Sequence, residues 1–158
     1  MKKFEFTGET KTISLFFRTA TLHRIRAVAE FGLVKIGDLG GWIEKEENLS
    51  HEGKAWVCGD AKVWGNAKVC GDAKVFSASH VLVIGAIGSR DDFTTFFRDK
   101  DNEITVKCGC FLGKIDKFLE KVTQTHGDSK YALVYRAAVE VARLQIDLSG
   151  EAPKDADE

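Results

Sequence analysis

Residues 55–84 read AWVCGD, AKVWGN, AKVCGD, AKVFSA and SHVLVI, which are five six-residue units in one register. The third position of every unit is a valine: Val57, Val63, Val69, Val75 and Val81. A period of six is too short for a helical repeat and too short for the arms of a flat sheet, so it predicts a solenoid of short strands. We expect the valines to point inward, Gly-Asp or Gly-Asn to make the turns, and three units to complete one coil.

This pattern resembles the hexapeptide-repeat, left-handed β-helix family. The repeated sequence GDAKV is also similar to that of small phage and prophage proteins built on such repeats. The resemblance spans about residues 38–126 and includes GGWIE at 40–44, NLSHEG at 48–53, IGSR at 87–90 and CGCF at 108–111. It implies a mainly β protein with some α structure, whose centre is a short left-handed β-helix.

The same resemblance implies a homotrimer, because prisms of this family usually pack side by side around a threefold axis. Trp56 and Trp64 are expected to be exposed on the sides of the coils, which favours the same assembly. The chain itself is therefore one of its own predicted partners.

The 158 residues divide into four predicted parts. Residues 1–33 are interpreted as an N-terminal β cap, in which residues 22–29 fit either a strand or a helical turn, with the strand favoured. Residues 34–86 form the predicted left-handed β-helix and residues 87–148 an α+β subdomain. Residues 149–158 are expected to be a disordered acidic tail because they have little to bury.

Two patterns organise the C-terminal subdomain. Residues 93–98 and 103–108 flank the turn sequence DKDN and predict a β-hairpin. Two apolar stripes then follow helical spacing: Ile115, Phe118, Leu119 and Val122, and later Tyr131, Tyr135, Ala138 and Ala142. These stripes predict two amphipathic helices that close the fold.

Charge and hydropathy narrow the classes of function. Lys and Arg number 23 against 24 Asp and Glu, so no global charge favours a nucleic-acid polymer or an anionic membrane. The longest nearly unbroken apolar run, residues 81–87, is far shorter than the roughly 20 residues of a membrane helix. No signal-peptide core follows Lys3, so we expect a cytoplasmic protein, in the host cytoplasm if phage-encoded, with four free cysteines.

A glycine-bearing loop between two strands is the most suggestive segment for ligand binding. Glycine lets backbone amides approach a ligand, hydroxyl groups donate hydrogen bonds, and arginine can bind a phosphate bidentately. The candidate ligand-binding residues are Gly88, Ser89, Arg90, Thr94 and Arg98. They predict a small anionic ligand, such as a cyclic nucleotide. The alternative is a tight turn in which Arg90 is solvated or paired to Asp92.

The sequence gives weaker evidence for a metal site or a catalytic site than for the ligand-binding loop. Cys108 and Cys110 could supply two zinc thiolates, but a structural zinc site needs four ligands, so packing of both thiols in the hairpin is favoured. His51 and His80 are the histidines near the repeat and the candidates for an acyltransferase base, a role the family resemblance suggests. His126 fits a capping role at a helix end. No catalytic residue, metal or cofactor is assigned.

Three hypotheses for function follow. The leading one is a non-enzymatic, oligomeric phage or prophage protein that sequesters a small anionic ligand, such as a nucleotide immune second messenger. The alternative is a structural or protein-interaction module whose repeats display surface. The third is a minimal hexapeptide acyltransferase.

Overall fold

The structure is a computed structural model that describes residues 2–16 and 18–149. Over these residues the chain forms ten strands, two α-helices (α1, Ile115–His126, and α2, Lys130–Gln145) and two short 3₁₀ turns (Glu46–Asn48 and Ala78–His80). The strands are β1 (Phe4–Ser14), β2 (Thr19–Ala27), β3 (Leu39–Ile43), β4 (Trp56–Val57), β5 (Lys62–Val63), β6 (Lys74–Val75), β7 (Val81–Ile87), β8 (Asp92–Arg98), β9 (Ile104–Cys108) and β10 (Phe111–Lys114). The predicted acidic tail lies, apart from Ser149, outside the described residues.

Most strand pairing is antiparallel. One four-stranded sheet has the order β10-β9-β8-β7 and is antiparallel throughout. The other has the order β1-β2-β3-β5, with antiparallel pairs except for the parallel pair β3 and β5, while β4 and β6 form a separate parallel pair. The prediction of a left-handed β-helix as the fold class was therefore wrong.

The physical reason lies in the lengths of the strands. Parallel pairing is confined to two stretches of two residues each, β3 with β5 and β4 with β6, and a single bridge between Leu49 and Val69. The longer segments on either side are joined by turns that fold each strand back on its neighbour, and these strands make most of the sheet hydrogen bonds. The six-residue repeat thus governs a local segment, whereas the hairpins decide the architecture.

The repeat nevertheless locates one hydrophobic core. The first four third-position valines are all buried, and Val57 lies beside Val75 in the β4–β6 pair. The glycines that follow, Gly59, Gly65 and Gly71, have φ between +62° and +64°, which favours glycine. Val81 is only half-buried because it begins β7, so the fifth unit leaves the repeat for the antiparallel sheet.

The expectation that Trp56 is exposed was wrong. Its side chain is 4% exposed, and its ring meets the edge of Phe31 at a centroid distance of 5.3 Å. The chain that links β2 to β3 carries Phe31 and therefore covers this position, which a repeat taken by itself leaves open. Trp64 is partly buried.

Other local predictions are confirmed. Residues 22–27 belong to strand β2, the favoured alternative for that segment. The predicted hairpin is β8 paired antiparallel with β9, and the two apolar stripes lie on α1 and α2. Neither of these two helices, within the part of the chain described, is long and apolar enough to cross a membrane.

Strand β8 separates two hydrophobic cores. Phe97 packs with the repeat valines in the first core, whereas its neighbour Phe96 packs with both helices in the second. Successive residues of a strand point to opposite faces, so one sheet serves as the wall of both cores. Helices α1 and α2 cover the second face, and the end of this sandwich holds the candidate site.

Candidate functional site

A cleft of about 270 Å³ opens where the helices meet the turns of the four-stranded sheet. The β7–β8 turn, the β9–β10 turn and both helices contribute to it. Its lining residues are Ser89, Arg90, Asp92, Cys108, Gly109, Cys110, Phe111, Phe118, Lys121, Val122, Thr125, His126 and Tyr135. The volume lies just under the range of about 300–1,000 Å³ for typical small-molecule pockets, so it suits a ligand no larger than a mononucleotide unit.

Aromatic rings form one wall of this cleft. Phe118 of α1 lies edge-on to Tyr135 of α2 at a centroid distance of 5.6 Å, and Phe111 lies 5.5 Å from Phe118. His126 stacks on Tyr135 at 5.8 Å with an interplanar angle of 25°. These contacts fix the rings in place, and fixed rings offer a planar ligand a stacking surface at little entropic cost.

Cationic and hydroxyl groups line the opposite, exposed side. Arg90 comes from the β7–β8 turn and Lys121 from α1, and both side chains are exposed. Asp92 is the acidic lining residue, and its Oδ1 accepts a hydrogen bond from the backbone N–H of Phe93 at 2.7 Å. Ser89 and Thr125 add hydroxyl groups. Two exposed cations against one carboxylate favour an anionic ligand over a cationic one.

Tyr135 and Cys108 join the cleft to the sheet below it. The Cys108 thiol donates to the Tyr135 hydroxyl oxygen at 3.9 Å, and the Thr94 hydroxyl donates to the Cys108 sulfur at 3.4 Å. Burial, together with the nearby Cys108, raises the pKa of Tyr135 to about 12. The phenol therefore stays protonated near neutral pH and remains able to donate a hydrogen bond.

Gly88 has a steric role in this arrangement. Its φ is +82°, and a Cβ atom at this position would overlap the hydroxyl oxygen of Tyr135. Only glycine lets the β7–β8 turn close over the tyrosine and place Ser89 and Arg90 at the mouth. The sequence predicts Gly88 as a ligand contact, whereas the structure places the Tyr135 side chain of the same chain against it.

The structure brings together only part of the predicted ligand-binding set. Ser89 and Arg90 line the cleft and Gly88 supports it. Thr94 is 1% exposed and lies beneath the cleft, with its hydroxyl committed to Cys108. Thr94 therefore supports the cleft from below and is not one of its lining residues.

Arg98 lies away from the cleft. It is four residues beyond Thr94 on β8, about 13 Å along the strand. It is 6% exposed, its Nε donates to the carbonyl oxygen of Lys74 at 3.0 Å, and its guanidinium lies 4.9 Å from the ring centroid of Phe76. The structure therefore does not bring Arg98 to the cleft, because this side chain holds the sheet to the repeat segment.

Several lining residues were missed by the sequence prediction. Phe118 and Tyr135 were assigned only to the buried stripes of their helices, yet their rings also form the wall of the cleft. Lys121 and Thr125 are spaced i and i+4 on α1, so they share one helix face beside the buried stripe. That spacing was the available signal, but nothing in it showed that the β7–β8 turn would lie opposite.

A larger cleft of about 720 Å³ lies on the other side of the sheet, beside the repeat. It is open, and Glu46, Glu47 and Glu52 face Lys68 and Lys107 across it. Three carboxylates against two lysines do not favour an anion. This cleft is therefore the poorer match to the predicted ligand.

The two histidines considered for acyl transfer are held by backbone contacts. Nδ1 of His51 accepts from the Lys3 N–H at 3.0 Å while its ring stacks on Phe4, and Nδ1 of His80 accepts from the Phe76 N–H at 3.1 Å. Burial lowers the pKa of both imidazoles. Both rings therefore have structural contacts, and neither lines the cleft at the helices.

Cys108 and Cys110 both line the cleft, but no three His, Cys, Asp or Glu side chains of the described residues are grouped so as to hold a metal ion. His126 occupies the last position of α1, the place expected for its capping role. The carbonyl oxygen of Gly127, which follows it, accepts from Arg136 at 3.0 Å, so Arg136 also stabilises this helix end.

No protein-family model matches the sequence, and no curated protein matches it either. The case for function therefore depends on the geometry and charge of this cleft.

Proposed function

We propose that this protein binds a small anionic ligand with a planar ring, such as a nucleotide, in the cleft between the β7–β8 turn and the two helices. One observation carries the proposal: Arg90 and Lys121, which belong to separate elements, line one cleft together with packed aromatic rings. The ring of the ligand stacks against His126 and Phe111, and its phosphate meets the two cations.

The proposed binding needs no catalyst. A protein that sequesters its ligand requires a preformed pocket, and the mutually packed rings supply one before any ligand arrives. The repeat's resemblance to phage and prophage proteins suggests a biological setting in which the ligand is a nucleotide immune signal. In that setting the protein lowers the concentration of the free signal in the host cytoplasm.

The test is calorimetry of the full chain against a panel of ligands. The panel contains inorganic phosphate, a nucleoside, linear and cyclic mononucleotides and cyclic dinucleotides. We expect a phosphorylated nucleoside to bind more tightly than either phosphate or the nucleoside alone, and to be recovered chemically intact after the complex is denatured. Recovery of a chemically altered nucleotide would show that the protein catalyses a reaction, and it would contradict sequestration.

Substitutions locate the site. Arg90→Ala and Lys121→Ala should each weaken binding about ten-fold or more, the loss of one or two charge-assisted hydrogen bonds. The matched control is Lys117→Ala, which removes an exposed lysine one turn earlier on α1 and outside the cleft. A wild-type chain that binds no member of the panel contradicts the proposal. So does equal binding by Arg90→Ala, Lys121→Ala and the control.

A further inference from the structure

Helix α2 carries an apolar stripe on the side opposite its buried face. Val134, Ala137, Val141 and Leu144 are spaced three, four and three residues apart, which is the a/d spacing of paired helices. Leu133 widens the stripe. Leu133, Val141 and Leu144 are 59%, 47% and 89% exposed. We infer that this stripe, here called the α2 seam, is the surface through which two copies of the chain associate.

The charges beside the α2 seam select a second copy of the chain. One flank carries Arg136, Glu140 and Arg143, whereas the other carries the uncharged, exposed Tyr131 and Gln145. Two parallel helices bring unlike flanks together, so the charged flank would meet the uncharged one. Two antiparallel helices bring like flanks together, and the alternating charges then face one another. The seam is therefore self-complementary in the antiparallel arrangement.

The register follows from matching the apolar residues. A twofold axis crossing α2 near Ala138 places Leu133 opposite Leu144 of the partner subunit. The same register brings Glu140 near Arg136 of the partner subunit. Ala137, a small residue close to the axis, allows the helices to approach closely. Within one chain Glu140 pairs with Arg143 at 2.7 Å and Arg136 donates to the carbonyl oxygen of Gly127 at 3.0 Å, so the contact with the partner adds to bonds that both residues already make.

This dimer differs from the predicted threefold assembly in the surface it uses. The homotrimer was expected to pack through the flanks of the repeat, and it was supported by exposure of Trp56, which is buried. Trimer formation through the repeat stays a prediction. The mass measurement below distinguishes it from pairing through the α2 seam.

The first measurement is light scattering of the full chain across the micromolar range. We expect a mass twice the 17.5 kDa of one chain. Leu144→Glu should give a folded monomer with an unchanged far-UV circular dichroism spectrum, because this side chain is almost fully exposed within one copy. The control Leu39→Glu changes an equally apolar, exposed residue outside α2 and should remain dimeric.

A mixing experiment tests the antiparallel register. A dimer of Glu140→Arg chains has two pairs of facing arginines, and a dimer of Arg136→Glu chains has two pairs of facing glutamates. Either substitution should therefore raise the dissociation constant about ten-fold or more. Mixing the two variants should restore dimers, because each mixed pair regains both opposite-charge contacts. A monomeric wild type, a trimer, a Leu144→Glu dimer, or variants that do not recover on mixing would overturn the inference.

Discussion

The sulfur of Cys108 lies 3.9 Å from the phenolic oxygen of Tyr135, and this contact joins the β9–β10 turn to helix α2 beneath the candidate cleft. Tyr135 also stacks with His126 and fills the space under Gly88. One side chain therefore links three of the elements that shape the cleft. The geometry of the cleft depends on packing in the second core as much as on the residues at its mouth.

Arg98→Ala should lower stability without affecting ligand binding. The substitution removes the buried hydrogen bond to the Lys74 carbonyl and the contact with the Phe76 ring, and we expect a loss of about 1.5–3 kcal/mol in the free energy of unfolding. Urea unfolding measures it. Arg90→Ala is the opposite case, since its exposed side chain should affect binding and leave stability nearly unchanged. An Arg98→Ala protein of wild-type stability with impaired binding would return Arg98 to the site.

Gly88→Ala should disturb both stability and the cleft. The new Cβ atom adds left-handed strain and an overlap with Tyr135, so we expect a loss of about 2–5 kcal/mol. Gly65→Ala is the matched control, because Gly65 also has positive φ but has no atom within 4 Å of the added Cβ. Its cost should be limited to about 1–2 kcal/mol of backbone strain. Equal losses for the two variants would show that Tyr135 does not occupy the space under Gly88.

Val69→Asp should unfold or severely destabilise the chain. Val69 is buried in the first core beside Leu49, so the carboxylate would have no compensating partner, and we expect a loss of about 3–5 kcal/mol. Thermal melting followed by circular dichroism measures the effect. Lys68→Asp introduces the same group at the exposed neighbouring position and should melt close to the wild type. A Val69→Asp protein that melts within a few degrees of the control would contradict the inward position of the repeat valines.

Stability should rise with pH just above pH 8 because of Lys3. Burial, reinforced by the positive charge of Lys74, lowers the pKa of Lys3 from 10.5 to about 8. Between these values the folded chain has lost a proton that the unfolded chain still binds, so the free energy of unfolding increases by about 1 kcal/mol per pH unit. The neutral amine can still donate to the Ala55 carbonyl, which lies 2.7 Å away in the structure.

The control for this pH effect is Lys3→Met, which keeps the apolar length of the side chain and has no charge to lose. Urea unfolding of both proteins at pH 7.5, 8 and 8.5 should show the free energy of unfolding of the wild type rising relative to that of Lys3→Met. Half-buried Cys58 and Cys70 have raised pKa values and oppose the rise as the pH approaches about 9, so the comparison ends at pH 8.5. Parallel curves for the two proteins would show that the amine of Lys3 is not desolvated.

The sequence by itself determined the local elements of this protein. The six-residue period identified the buried valines and the glycine turns, while the stripes of Phe118 and Tyr135 identified both helices. These features depend on residues close together in the chain, where spacing alone decides which side chains share a face. The β7–β8 loop was likewise identified as a site of close approach because glycine spacing is a local property.

Only the tertiary structure decided the architecture and the composition of the cleft. Strand β7 could continue the repeat or turn back and pair with β8, and the structure has the second arrangement. The two pairings would use the same backbone N–H and C=O groups, so a local sequence pattern does not show which of them forms. The structure also shows that the two ends of β8 have different roles. Thr94 lies under the cleft, whereas Arg98 lies against the ring of Phe76. Lys121 and Arg90 line the same cleft because packing of the second core brings α1 beside a turn about thirty residues earlier in the chain.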